Sequence, residues 1–129
     1  MSAYLLDTNV VLLALSEPME LSEAVRGAIL AGPNVLSAVV YWEVMLKSMK
    51  GNLRVGDPRL WWRDALEQLA ATSLPVRAEH IAGVNELPPI HRDPFDRVLI
   101  AQATAENLIL VTAGNTIPEY ASDRLHVVQ

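Results

Sequence analysis

The chain has no cysteine in its 129 residues, which excludes a disulfide framework and any zinc site built on thiolates. It also lacks an unbroken run of the roughly 20 apolar residues that a membrane-spanning helix needs. The N-terminus reads Met-Ser-Ala-Tyr-Leu-Leu-Asp, with no basic stretch and too short an apolar run for a secretory signal. A cytoplasmic protein with no membrane partner is therefore expected. Positive charge is scarce: ten Lys and Arg against fifteen Asp and Glu leave a net charge of −5. Proteins that hold nucleic acid by bulk electrostatics are usually basic, so a general DNA-binding module is disfavoured. An enzyme that meets phosphates through a bound cation escapes this argument, because the metal supplies the positive charge. No internal repeat, low-complexity tract or long linker divides the chain, and its length suits one domain over residues 1–129.

What is present is apolar surface. At 51% apolar residues, the chain can bury a core without a disulfide or a structural metal. Short apolar runs alternate with helical periodicity, the pattern of an α/β domain with a parallel sheet. The predicted strands are Ala3–Leu6, Asn34–Ser37, Ser73–Val76, Leu108–Thr112 and Leu125–Val128. The predicted helices are Val10–Leu15, Ser22–Ala31, Val39–Lys50, Pro58–Ala71, Ala78–Asn85 and Phe95–Glu106. Gly51-Asn52, Gly56-Asp57-Pro58, Leu87-Pro88-Pro89 and Gly114-Asn115 break the pattern between them.

Open α/β sheets bind ligands at the carboxyl ends of their strands, and three acids stand near such places. Asp7 follows the first strand in Tyr-Leu-Leu-Asp-Thr-Asn. A carboxylate there is costly to desolvate unless a cation or donors meet it, although Asp is also a good helix cap. Glu43 shares a helix face with Val39, Val40 and Leu46. An i,i+4 pair with Lys47 is its simplest explanation, but a solvated face rarely reads Val-Val-Tyr-Trp-Glu-Val-Met-Leu. Asp96 lies in His91-Arg92-Asp93-Pro94-Phe95-Asp96-Arg97, where Asp93 reads as N-cap and Pro94 as the first helical residue. Ile100 and Ala103 follow on the same face as Asp96, so it points toward the sheet. Carboxylates crowded together cannot all stay ionised without a cation, and hard oxygen ligands select Mg²⁺ or Mn²⁺.

These segments resemble the PIN-domain nucleases, and within them the VapC-like toxins of type II toxin–antitoxin systems. The matching stretches are Leu5 to Asn9, Ser37 to Glu43, His91 to Arg97 with the following Val-Leu-Ile-Ala-Gln-Ala, and Val111-Thr112-Ala113. The resemblance spans nearly the whole chain and is most specific over residues 91–103. It implies a three-layer α/β/α fold on a short, mostly parallel five-stranded sheet. It also implies Asp7, Glu43 and Asp96 as catalytic, metal-binding acids, with Mg²⁺ or Mn²⁺ as cofactor. Thr8, Asn9 and Ser37 would support the floor of the site, and Asp93 would be mainly structural. The family often carries a fourth acid after Val-Thr-Ala; here Gly114 stands in that place, followed by Asn115. Asn115 could offer an amide oxygen, although a Gly-Asn turn explains it as well. Loss of that ligand weakens a second metal more than the first and leaves a non-cleaving PIN domain as the alternative.

The reaction implied is hydrolysis of RNA phosphodiester bonds, leaving 5′-phosphate and 3′-hydroxyl ends. Arg92, Arg97, Lys47 and Lys50 are the candidate phosphate contacts, and Thr112 a supporting polar group. A cognate antitoxin and a homodimer are the partners implied. Met45, Met49, Trp61, Trp62 and Leu66 could face an antitoxin helix, though ordinary core packing is the simpler account of each. Adjacent Trp61 and Trp62 cannot both face one side of a helix. A haloacid-dehalogenase-like phosphatase would want an acid two residues after Asp7, where Asn9 stands. A phosphoacceptor receiver would need an acceptor Asp after the third strand, where Arg77 and Ala78 stand.

Overall fold

The computed structural model describes residues 2–129. Strand β1 (Tyr4–Leu6) ends at Asp7, whose extended backbone and side chain cap helix α1 (Thr8–Ser16). The helix therefore opens two residues before the predicted Val10. Ser22 caps α2 (Glu23–Ala31) in the same way, and Gly32 stops it with φ 54°, a conformation costly for residues with a Cβ. Strand β2 (Asn34–Ser37) runs straight into α3 (Ala38–Met49), because the Ser37 hydroxyl accepts the Val39 N–H at 3.1 Å. Asp57-Pro58 starts α4 (Pro58–Gln68) and Asp93-Pro94 starts α6 (Pro94–Glu106). Both use an acidic cap followed by a residue with no N–H to waste. Between them lie β3 (Ala71–Leu74) and α5 (Ala78–Val84); β4 (Ile109–Val111) and β5 (Val127–Val128) complete the sheet.

The strand order is β3-β2-β1-β4-β5, and every pairing is parallel. The apolar pattern predicts a parallel sheet and the family resemblance a mostly parallel one; no antiparallel strand is present among the described residues. Moving from β1 through β2 to β3, the chain steps one way across the sheet. It then jumps back to place β4 on the far side of β1. Crossovers between parallel strands are right-handed by rule, and with this strand order that rule places the helices of the two directions on opposite faces, in α/β/α layers. Leu5, Leu6, Leu36, Leu110 and Val111 are fully buried in the middle of the sheet, against Val10, Val11, Val40, Leu99 and Ile100 from the helices.

Strand β3 begins at Ala71 rather than at the predicted Ser73. Helix α4 stops at Gln68, three residues short of expectation, and Ala70 reverses the chain at φ 48°. Asn34 anchors that reversal. Its side-chain amide donates to Ile29 O at 2.8 Å and to Leu69 O at 3.0 Å, tying β2 to the ends of two helices. Two short 3₁₀ turns, Pro18–Glu20 and Ile117–Tyr120, were not foreseen.

Candidate metal centre

The strand order reverses between β1 and β4, and the carboxyl ends of those two strands open the cleft expected at such a switch point. The cleft encloses about 220 Å³ and is lined by Asp7, Thr8, Asn9, Glu43, Lys47, Asp93, Asp96, Thr112, Gly114, Thr116 and Ile117. Asp7, Glu43 and Asp96 are all on its wall, at the start of α1, within α3 and in the first turn of α6, with Asp93 at the cap of α6.

Asp7 sits where β1 hands over to α1. Its N–H donates to Val111 O at 3.0 Å, clamping the two strand ends together. Its Oδ1 accepts the Val10 N–H at 2.9 Å. Burial pushes its carboxyl up to about 6; hydrogen bonds from Thr112 and Val10 oppose this, and the charges of Asp96 and Glu43 add to it. Glu43 projects from α3 with both oxygens engaged. The Thr8 hydroxyl donates to Oε1, and Lys47 pairs with Oε2 at 2.9 Å. Asp96, in the first turn of α6, accepts from His91 Nε2 at 3.0 Å through Oδ2. Its carboxyl is raised, chiefly by burial, with the His91 contact opposing and the Asp93 and Glu43 charges reinforcing.

Carboxyls that burial makes harder to ionise are groups that a cation would relieve. The donor set is oxygen-rich and fits a hard divalent ion better than a soft one. Among the described residues, His91, Asp93 and Asp96 alone bring ligand atoms within 4.8 Å of one another. Asp7, Glu43 and Asp96 share the cleft but do not form so tight a group.

A family model described as PIN domain matches residues 4–123. The chain belongs to the PIN-domain family. Solved structures share the fold at low identity. One is VapBC2 from Rickettsia felis bound to a promoter DNA fragment, with TM-score 0.68 and 16% identity over 98% of this chain and 99% of that one. Another is VapBC-5 from Mycobacterium tuberculosis, with TM-score 0.65 and 19% identity over 100% and 99%. FitAcB from Neisseria gonorrhoeae gives TM-score 0.64 and 22% identity over 95% and 96%. Among curated protein sequences, none matches significantly.

The remaining candidates take varied positions in this PIN domain. Thr112 is buried, accepts the Gly114 N–H at 3.1 Å and bonds Asp7. Asn9 is exposed on the rim. Ser37 and Asp93 cap α3 and α6, Asp93 through the Phe95 and Asp96 N–H groups. Asn115 lies outside the cleft, its amide oxygen accepting from Gln129 at 2.7 Å. Arg92 and Lys50 are exposed and do not line the cleft; Lys47 does. Arg97 turns away from it. Its guanidinium donates to Pro88 O and His91 O at 3.1 Å, to Val84 O at 3.1 Å and to Tyr120 Oη at 3.3 Å.

Sequence reasoning overlooked Thr116 and Ile117, which reach the cleft only because the 3₁₀ turn folds back after β4. It also read past His91. A histidine five residues ahead of a candidate ligand was the available signal, but the loop that brings them together gave none. Trp61 and Trp62 diverge as their helical spacing demands. Trp62 stacks on Tyr41 at 5.1 Å between ring centroids, whereas Trp61 lines a separate groove with Leu12, Leu15 and Leu60. Met49 stands exposed at the end of α3.

Proposed function

We propose that this PIN domain is a divalent-metal-dependent endoribonuclease acting as the toxin of a toxin–antitoxin pair. The observation that carries the reading is the convergence of Asp7, Glu43 and Asp96 on one small polar cleft at the switch point of the sheet. Asp7 and Asp96 would hold a Mg²⁺ or Mn²⁺ ion, with Glu43 closing the set. When bound, such an ion supplies a water of lowered pKa and screens the charge of a phosphodiester.

The chain's own groups account for orientation. Thr8 and Lys47 fix the Glu43 carboxylate from two sides, one on each oxygen, at the cleft wall. Lys47 also brings a positive charge to the cleft wall, where it would meet a phosphate of a bound strand. Thr112 and the Val10 N–H keep Asp7 in one orientation, so little reorganisation is needed when substrate arrives. The antitoxin and homodimer readings draw support from the fold shared with chains solved as VapBC complexes. The groove beside Trp61, about 590 Å³ between α1 and α4, is the candidate antitoxin surface.

The deciding assay is cleavage of RNA with Mg²⁺, with Mn²⁺ and with chelator. Wild-type protein should cut only with metal, and Asp7→Asn should not cut. Undiminished cleavage by Asp7→Asn sinks the assignment. Gly114 favours a second reading, in which RNA is bound and not cut. It lines the cleft where many PIN proteins place another acid. Metal-independent RNA binding with no product under either cation would select that reading.

A further inference from the structure

We propose that His91 is a positioning residue for Asp96: it holds one carboxylate oxygen so that the other faces the cleft. The inference rests on the metal reading above and adds a residue to it. Asp96 has its main chain fixed, because Asp93 Oδ1 accepts both the Phe95 N–H at 2.9 Å and the Asp96 N–H at 3.3 Å. Its side chain is a different matter. The last torsion of an aspartate is broad and roughly two-fold, so nothing in the helix itself selects which oxygen points inward. His91 Nε2, 3.0 Å from Oδ2, removes that freedom. An ionised carboxylate can only accept, so Nε2 carries the proton in this contact.

The His91 main chain is itself held. Arg97 Nη1 bonds the His91 carbonyl at 3.1 Å, and the same guanidinium bonds the carbonyls of Pro88 and Val84. One arginine on α6 thus gathers the connection from α5 and places the imidazole over the first turn of its own helix. His91 does not line the cleft, whereas Asp96 does. It acts from behind the ligand, as groups that orient metal-binding carboxylates do; losing such a group typically costs about 10–100-fold in metal affinity.

The test is Mn²⁺ affinity, read as free Mn²⁺ by electron paramagnetic resonance on the intact chain. His91→Ala and His91→Phe should bind about 10–100-fold more weakly than wild type. His91→Gln, which keeps a donor near the Nε2 position, should recover most of the loss. His91→Phe retains the ring's bulk, so its metal-free melting temperature should match wild type and separate positioning from packing. Spin-echo spectra of bound Mn²⁺ should show no directly coordinated nitrogen. Wild-type affinity in His91→Ala overturns the proposal. So does equal loss in the Ala and Gln variants, or a nitrogen coupling that His91→Ala abolishes, which would make the imidazole a ligand at the His91–Asp93–Asp96 group. If wild-type protein takes up no Mn²⁺, the metal reading falls first and this one with it.

Discussion

Asp7 accepts the Val10 N–H through one oxygen, yet its carboxyl is pushed from an ordinary 3.8 to about 6, chiefly by burial. The raised value means that the folded state prefers the protonated acid. Its stabilising share is therefore complete below about pH 4, the unfolded value, and is lost as pH rises through about 6. The gap corresponds to about 3 kcal/mol above that window. Asp7→Asn keeps a capping oxygen and removes the charge. Metal-free Asp7→Asn should thus be more stable than wild type at pH 7.5, by up to about 3 kcal/mol in urea unfolding, with the difference closing near pH 4. An advantage that persists unchanged at pH 4 would show that charge is not its source. Adding Mn²⁺ should then raise the wild-type melting temperature and leave that of Asp7→Asn nearly unmoved, since a ligand stabilises only the state that binds it.

At the scale of the elements, the connection from α5 to α6 depends on one side chain. Arg97 spends its donors on three main-chain carbonyls and the Tyr120 hydroxyl. Lysine cannot reproduce that fork. Arg97→Lys should lower the melting temperature by several degrees and speed amide exchange across residues 85–93. Unchanged exchange there would remove Arg97 from this role. The sequence had offered Arg97 as a phosphate contact, and the reason for the mismatch is general. Its partners are carbonyls at Val84, Pro88 and His91, and any residue presents a carbonyl, so no side-chain pattern marks them. Caps behave differently. Asp7, Ser37, Asp57 and Asp93 act within three residues of themselves, and all the helix starts they govern were near where the sequence put them. The start of β3 was displaced because Ala70 takes a left-handed conformation with no glycine to announce it. Thr116 went unread for a similar reason, its route into the cleft being set by a turn of long-range packing. That Asp7, Glu43 and Asp96 share one cleft was legible because Asp7 follows an apolar strand, Glu43 lies within an apolar helix and Asp96 opens α6.

For the whole molecule, net negative charge limits how the proposed RNA substrate can be held. Lys47 is the basic residue on the cleft wall, and Lys50 and Arg92 are the exposed candidates beyond it. Three phosphate contacts would give a slope of log affinity against log salt no steeper than about −2 for a single strand. Filter binding with Asp7→Asn, which should hold RNA without cutting it, measures this; a slope near −5 would reveal a basic track elsewhere. The divergence of the two neighbouring tryptophans gives a second test at this scale. Trp61 faces the groove between α1 and α4, whereas Trp62 is stacked on Tyr41. If an antitoxin segment fills that groove, Trp61→Phe should abolish the fluorescence change on binding and Trp62→Phe should preserve it. The reverse result would move the interface away from this groove.

The double engagement of Asp7, as helix cap and as buried acid, also bears on inheritance. Aspartate and asparagine codons differ by one nucleotide. If the chain is the toxin proposed above, a cell that acquires this change should keep a well-folded protein that no longer harms it. Escape from an unopposed toxin of this build should therefore run through missense at codon 7 more often than chance, alongside truncations. Sequencing survivors of forced expression, and finding that codon no more often hit than its neighbours, would refute it.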